Sequence, residues 1–413
     1  MIIGCIADDF TGAGDAASYL AKGGMRTLMF NGVPEDQTDY SATCDAMVIA
    51  LKTRTEEKES AVQASLKAIR WLQKQGAKQY YFKYCSTFDS TPEGNIGPVA
   101  DAIMDELGAK RAVICPALPD NGRIVKDGSL YVNGVLLDES PMKNHPLTPM
   151  WDHRIKNLME VQSKYSCIEL GRDFSDLPDS MDAEAEPEYM IPDYQDRMDA
   201  EKIVDVFGAD MFLTGGSGLL EALASHWMKR VERKQAVYPP VAGNTLLLAG
   251  SCSEMTRKQI AFYEAFGFMA TKINPLELME RECPVKIDMP EGKKAEAMLL
   301  YTSDKPENVK KIQEEGKMLV AEKIEGFLAN MAVSAYQNGC RKIIVAGGET
   351  SGAVMKALGF SKYIIWKSVA PGVPVLIPIE DTGARIVLKS GNFGQEDFFL
   401  RAMKMTSEEM HGE

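Results

Sequence analysis

The sequence predicts an α/β protein of two domains, each with a mostly parallel sheet flanked by helices. Three observations lead there. The chain has 413 residues, more than one ordinary core of roughly 100–200 residues accommodates. Short apolar runs alternate with amphipathic stretches along most of it, the βα alternation of a sheet covered by helices. And the segment VERKQAVYPPVAGN at 231–244, polar and then Pro-Pro, separates two such series. The expected domains are 1–235 and 236–413.

Taken in order, the expected strands are Ile2 to Ala7, Ala46 to Leu51, Gln79 to Lys83, Ala112 to Cys115 and Met211 to Thr214 before the break, then Thr245 to Ala249, Ala297 to Tyr301, Lys342 to Ala346 and Arg385 to Lys389. Each is a short apolar run bounded by polar or turn-forming residues. The expected helices are Gly12 to Ala21, Glu57 to Gln75, Ile96 to Leu107, Gly218 to Arg230, Met255 to Ala265, Ala321 to Asn338 and Gly352 to Leu358. No repeat of fixed period and no low-complexity tract interrupts the series.

Composition narrows the class. Hydrophobic residues at 45% and charged residues at 25% exclude disordered and fibrous chains. The net charge of −13 and the absence of a concentrated basic run argue against nucleic acid as the main partner. No stretch approaches the roughly 20 apolar residues of a bilayer span, and the start of the chain lacks the form of a signal peptide, so a cytoplasmic protein without membrane contact is expected. Eight cysteines without paired spacing read as free thiols, and four scattered histidines make a zinc site improbable. Between Asp173 and Asp205, twelve acidic residues face only Arg197 and Lys202. With Pro178, Pro187 and Pro192 interspersed, at least the first half of this stretch reads as a solvated excursion.

In open α/β sheets, ligands bind beyond the carboxyl ends of strands, where helix N-termini offer free N–H groups. Four segments have that form. Ile6 to Asp15 runs a strand into Asp8 and Asp9; one acid would suffice to cap a helix, and two, with Asp15 a turn further on, suggest ligand contact. Leu213 to Leu219 and Leu248 to Thr256 repeat the design with Gly and Ser, which serve equally as capping devices. Ile344 to Gly352, with Gly347, Gly348, Glu349, Thr350 and Ser351, is the best phosphate cradle of the chain, yet it is neither a Walker A loop nor GxGxxG. A further Gly-rich loop follows Lys389. Arg54, Lys83 and Arg123 supply cations at strand ends or in loops; after Lys83 comes a hydroxyl cluster with Ser86 and Thr87 and one acid, Asp89. His145 is a weaker candidate for a base, a single His before Pro being more often structural.

Together these segments resemble the four-carbon acid sugar kinase family, closest to its 3-oxo-tetronate kinase branch. The resemblance rests on IADDFTGAGDAASYL, FNGVP, LKTRT, YFKYCSTFDSTPEGNIGPV, CPALPDNGR, MKNHPLTPM, LTGGSGL, LAGSCSEMT, VAGGETSGAV, APGVP and LKSGNFGQEDFF, which run from residue 6 to residue 399. The acidic, Pro-interrupted stretch from Asp173 to Pro192 departs from the regular helix that the family suggests.

The resemblance implies a sugar-acid domain followed by an ATP-binding domain, with the active site in the cleft between them and a hinge near 231–244. It places Asp8 and Asp9, as catalytic residues, with Arg54, Lys83, Ser86 and Thr87 on the sugar-acid side. Ser253, Gly347, Gly348, Glu349, Thr350, Ser351 and Gly391 fall on the ATP side. It further implies ATP-dependent phosphorylation of the 4-hydroxyl of a four-carbon acid, 3-oxo-tetronate first, with Mg2+ on the phosphates, Glu349 as a candidate contact and a homo-oligomer conceivable. Arg54 and Lys83 would hold the substrate carboxylate, while Arg123 and Lys389 would be available to the anions. Which aspartate is the base stays open at this point, as do threonate or erythronate as substrate and a non-catalytic sugar-acid sensor.

Overall fold

The computed structural model describes residues 1–35, 38–144, 148–174, 177, 184–229, 238–275, 278, 296–303 and 317–408. The chain divides into two compact units, Met1–Val231 and Glu232–Glu413.

In the first unit the strands are β1 (Ile3–Ala7), β2 (Thr27–Asn31), β3 (Ala46–Ala50), β4 (Gln79–Lys83), β5 (Arg111–Cys115), β6 (Arg123–Lys126), β7 (Ser129–Val132), β8 (Val135–Leu136), β9 (Ser166–Gly171), β10 (Glu188–Pro192) and β11 (Phe212–Gly215). The helices are α1 (Phe10–Lys22), α2 (Lys58–Lys74), α3 (Ile96–Leu107), α4 (Ile155–Glu160), α5 (Arg197–Phe207) and α6 (Leu220–Met228). Eight strands pair in the order β2-β3-β1-β4-β11-β5-β10-β9, every pairing parallel. Buried on both faces, the central strands read as unbroken apolar runs: all five residues of β1, β3, β4 and β5 are buried. Helix α2 shows the matching periodicity, burying Ala61, Ser65, Ala68, Ile69 and Leu72 on one stripe.

A small antiparallel sheet, β6-β7-β8, follows β5. Its two hairpins turn on Asp127-Gly128 (φ 49° and 72°) and Asn133-Gly134 (φ 50° and 82°). These are two-residue turns with both central φ positive, the geometry for which Asp-Gly and Asn-Gly are selected.

The second unit contains β12 (Thr245–Ala249), β13 (Met269–Lys272), β14 (Ala297–Tyr301), β15 (Lys342–Ala346), β16 (Lys362–Ala370), β17 (Val373–Pro378) and β18 (Arg385–Lys389), with α7 (Glu254–Ala265), α8 (Lys317–Gln337), α9 (Gly348–Leu358) and α10 (Phe398–Ser407). The strand order is β13-β14-β12-β15-β18-β17-β16. The first five are parallel and β17 and β16 fold back as antiparallel strands. Apolar clusters lie on both faces of this sheet, one around Leu247, Ile344, Val387 and Phe399, the other around Leu246, Leu248, Val345 and Leu328.

The expected strands and helices are present with ends shifted by a few residues. The largest shift concerns the cradle: α9 begins at Gly348, four residues before the expected Gly352, so most of the supposed loop is the first turn of a helix. The acidic stretch is also less solvated than its composition suggests. Asp193 is buried and accepts N–H donors from Asp127 and Gly128, and buried Asp199 is paired with Arg172. Residues 175, 176 and 178–183, His145, and 231–237 of the expected hinge lie outside the described residues.

Candidate functional site

In each unit the first strand is a switch point: the chain leaves β1 for β2 and β3 on one side and later crosses to β4 on the other, and leaves β12 for β14 and later crosses to β15. Ligands bind in the crevices that such reversals open at strand carboxyl ends. The candidate residues of each half gather at its own switch point.

In the first unit, Ala7, Ala50 and Lys83 end adjacent strands in register, and Gly215 ends the next one. Asp8 and Asp9 follow Ala7 directly. Asp9 caps α1, its Oδ1 accepting the Gly12 N–H at 2.5 Å. Asp8, 3% exposed, takes the fork of Arg54, Nε to Oδ2 and Nη2 to Oδ1, both at 2.8 Å. Nη2 also lies 2.8 Å from Asp9 Oδ2. The Arg54 loop is held in place by Asn95, the residue before α3, whose Nδ2 donates to the carbonyls of Thr53 and Glu56. Lys83, 5% exposed, passes so close over α1 that a Cβ on Gly12 would stand 2.7 Å from its Nζ.

Charge within this cluster is strongly coupled. Burial lifts the Asp8 carboxyl above the usual carboxylate range, against the pull of Arg54. Burial likewise lifts Asp15, one oxygen of which accepts from Ser217 Oγ while the other is buried without a partner. Burial would lower Lys83, but Asp15, Asp9 and Asp8 together more than offset it and keep the ammonium charged. Arg54 is held charged in the same way by Asp8 and Asp9. Beyond Lys83, Ser86 is half-buried, and Thr87 donates to Asp89 at 2.6 Å. The cluster therefore presents two fixed cations and one carboxylate, that of Asp9, whose side chain is 35% exposed.

In the second unit, β15 passes into α9 through the single residue Gly347, whose φ of 133° is closed to side-chain-bearing residues. The opposite wall is Gly250-Ser251-Cys252-Ser253, leading into α7. The walls are close: a Cβ on Gly250 would stand 2.1 Å from Thr350 Oγ1 and one on Gly391 2.5 Å from Ser251 Oγ. Ser253 caps α7 and donates to the Gly391 carbonyl at 2.6 Å. Thr350 and Ser351 are buried and Glu349 is exposed in the first turn of α9. Two helix N-termini thus lie beside a glycine-rich contact, and helix N-termini are where phosphate is favoured. Among the described residues, no group of three or more His, Cys, Asp or Glu is arranged to hold a metal ion.

Three cations are placed otherwise than the sequence suggested. Lys389 points inward, 1% exposed, onto the carbonyls of Ser390 and Gly391 and the hydroxyl of Thr256. Arg123 opens β6 and donates to the Asn121 carbonyl. Arg54, expected to face a ligand, is engaged with Asp8 and Asp9. Sequence reasoning overlooked Thr302 and Ser303, buried hydroxyls at the end of β14 whose position after an apolar strand could have flagged them; Ser303 donates to the Ser251 carbonyl.

A two-unit α/β chain with an acid–cation cluster at one switch point and a glycine-lined helix start at the other has the form of a protein that takes a sugar-like anion and a nucleotide. The comparisons agree: the family model described as the sugar-binding N-terminal domain matches residues 3–223, and that described as the nucleotide-binding C-terminal domain matches residues 246–399. The chain belongs to the four-carbon acid sugar kinase family. It is 40% identical to a 3-oxo-tetronate kinase of Brucella melitensis over 99% of this chain and 97% of the relative. It is 39% identical to one of Haemophilus influenzae over 98% and 100%. A solved structure from Salmonella typhimurium LT2 superposes with a TM-score of 0.84 at 36% identity, covering 98% of this chain and 99% of the other. One from Haemophilus influenzae gives 0.78 at 38% identity, covering 98% and 100%.

Proposed function

We propose that the protein is an ATP-dependent kinase that phosphorylates the 4-hydroxyl of 3-oxo-tetronate. The observation that carries this reading is the Asp8, Asp9, Arg54 and Lys83 cluster, in a chain similar from end to end to 3-oxo-tetronate kinases. Phosphoryl transfer passes through a loose transition state, so the protein's work is to position the reactants and stabilise charge.

The two aspartates take different parts in this reading. Asp8, buried and forked onto Arg54, fixes the guanidinium. Asp9, more accessible and held by Gly12 N–H and Arg54, accepts the proton of the attacking hydroxyl. The substrate oxygen forms its bond to the γ-phosphorus as the bond to the β–γ bridging oxygen breaks, and ADP leaves. Lys83 and the remaining donors of Arg54 meet the carboxylate of the acid, with Ser86 beside them; Thr87 shapes the pocket through Asp89. On the nucleotide side, the first-turn N–H groups of α9 from Gly348 to Thr350 and the α7 start at Ser253 receive the phosphates, with Gly347 and Gly391 letting the segments that carry them pack closely. Mg2+ fits this site as an ion carried mainly by phosphate oxygens and water, with exposed Glu349 the carboxylate at hand. When bound it would neutralise phosphate charge.

The test is a panel of four-carbon acids with ATP, followed by ADP release and by NMR location of the new phosphate ester. The highest kcat/KM is expected for 3-oxo-tetronate with the ester on O4. Turnover of threonate or erythronate alone would move the substrate within the family, and binding without turnover of any acid would make the protein a sensor.

A further inference from the structure

Lys389 is a buried cation without an acidic partner among the described residues, and the mechanism does not use it. It ends β18, and its Nζ donates to the Gly391 carbonyl at 2.9 Å, the Ser390 carbonyl at 3.1 Å and Thr256 Oγ1 at 3.1 Å. The Phe398 ring centroid lies 5.7 Å away. The Gly391 carbonyl is a point of convergence, accepting also from Ser253 Oγ at 2.6 Å and Thr256 Oγ1 at 2.9 Å. Because a trans peptide sets C=O and the following N–H on opposite sides, a Gly391 carbonyl pulled inward turns the Asn392 N–H outward. The turn itself is pressed against the Ser251 to Ser253 wall, and the Lys389 carbonyl accepts the Gly347 N–H at 2.9 Å. One residue thus ties together all three segments that meet at the glycine-rich contact.

We infer that Lys389 is a positioning residue for the nucleotide: without touching it, the side chain draws the Gly391 carbonyl inward and so presents the Asn392 N–H as a further phosphate donor. The inference rests on the nucleotide site proposed above. Burial without a neighbouring carboxylate lowers the Lys389 pKa to about 7, so backbone carbonyls and one hydroxyl, rather than an ion pair, hold the ammonium where it is.

The experiment compares the full-length protein with Lys389→Met and Thr256→Val, measuring ADP affinity by calorimetry, KM for ATP and for the acid, kcat, and urea unfolding. In Lys389→Met, ADP affinity is expected to fall and KM for ATP to rise about tenfold or more, the effect of losing one charge-assisted hydrogen bond to phosphate, while KM for the acid stays within about twofold. Thr256→Val, which keeps the lysine but loosens its anchor, should show the same split at smaller amplitude and decides the matter if Lys389→Met does not fold. Unchanged ADP affinity in a folded variant overturns the inference, as does a loss confined to kcat. A wild-type protein that binds no ADP overturns the nucleotide reading itself and the inference with it.

Discussion

Asp8 and Asp9 are neighbours in sequence with opposite surroundings, and substitutions should separate them. Asp8→Ala leaves the Arg54 charge half-compensated in a largely buried setting, so a loss of about 3 kcal/mol in urea unfolding is expected. Asp9→Asn retains the cap and much of the packing, so stability should change little while kcat falls about 10²–10⁴-fold, the usual weight of a general base. Turnover of Asp9→Asn at the wild-type rate would remove that role. Lys389 gives a pH dependence with a definite sign. Its folded-state pKa of about 7 lies below the ordinary 10.5. Between those values the unfolded chain holds a proton that the folded chain has released, so this residue makes stability rise with pH from about 7 to about 10.5. Urea midpoints at pH 6.5 and 9 should therefore differ more in the wild type than in Lys389→Met.

At the scale of elements, the site depends on turns that fix where strands hand over to helices. Asn95 pins the Arg54 loop through two backbone carbonyls, and Asn95→Ala should raise KM for the acid several-fold while KM for ATP is unchanged. Gly347→Ala forces a side chain into φ 133° against Ser251 N and Thr350 Oγ1, at about 1–3 kcal/mol of strain, and should raise KM for ATP first. Much of this was legible in the sequence, because a buried parallel strand is an apolar run and its carboxyl end is marked by the change to Asp, Gly or Ser. Asp8, Ser253 and Gly347 announce themselves in that way, and Lys83 by the hydroxyl cluster that follows it. Which cations turn inward was not legible: Arg54 is engaged by Asp8, 46 positions away, and Lys389 in part by Thr256, 133 positions away, and no local pattern records those partners. The β6-β7-β8 hairpins were missed although Asp127-Gly128 and Asn133-Gly134 are strong signals, since the strands beside them are only two to four residues long. Strand β10 was hidden because it lies inside the stretch where acidic residues dominate the composition.

For the molecule as a whole, the charge of −13 says little about how an anion is received. The acids of 173–205 are partly drawn into structure through Asp193 and Asp199, and the cations of the proposed acid site are few, Lys83 buried and Arg54 held by Asp8 and Asp9. Among the described residues, no helix is long and apolar enough to cross a membrane. Surface charges are screened by salt while buried ones are not, so KM for the acid should vary by no more than about twofold between low and physiological ionic strength. A steep rise with salt would point instead to capture by exposed charge.

The passage from β15 to α9 through Gly347 alone has a thermodynamic meaning of its own. A phosphate-binding segment that is a long loop must be ordered by its ligand, and that ordering is subtracted from affinity. Here strand and helix are separated by one residue, and each is anchored in a packed core. The freedom such a segment would surrender on binding was already lost when the chain folded, so in the proposed nucleotide site its amides would meet the phosphates as a rigid receptor.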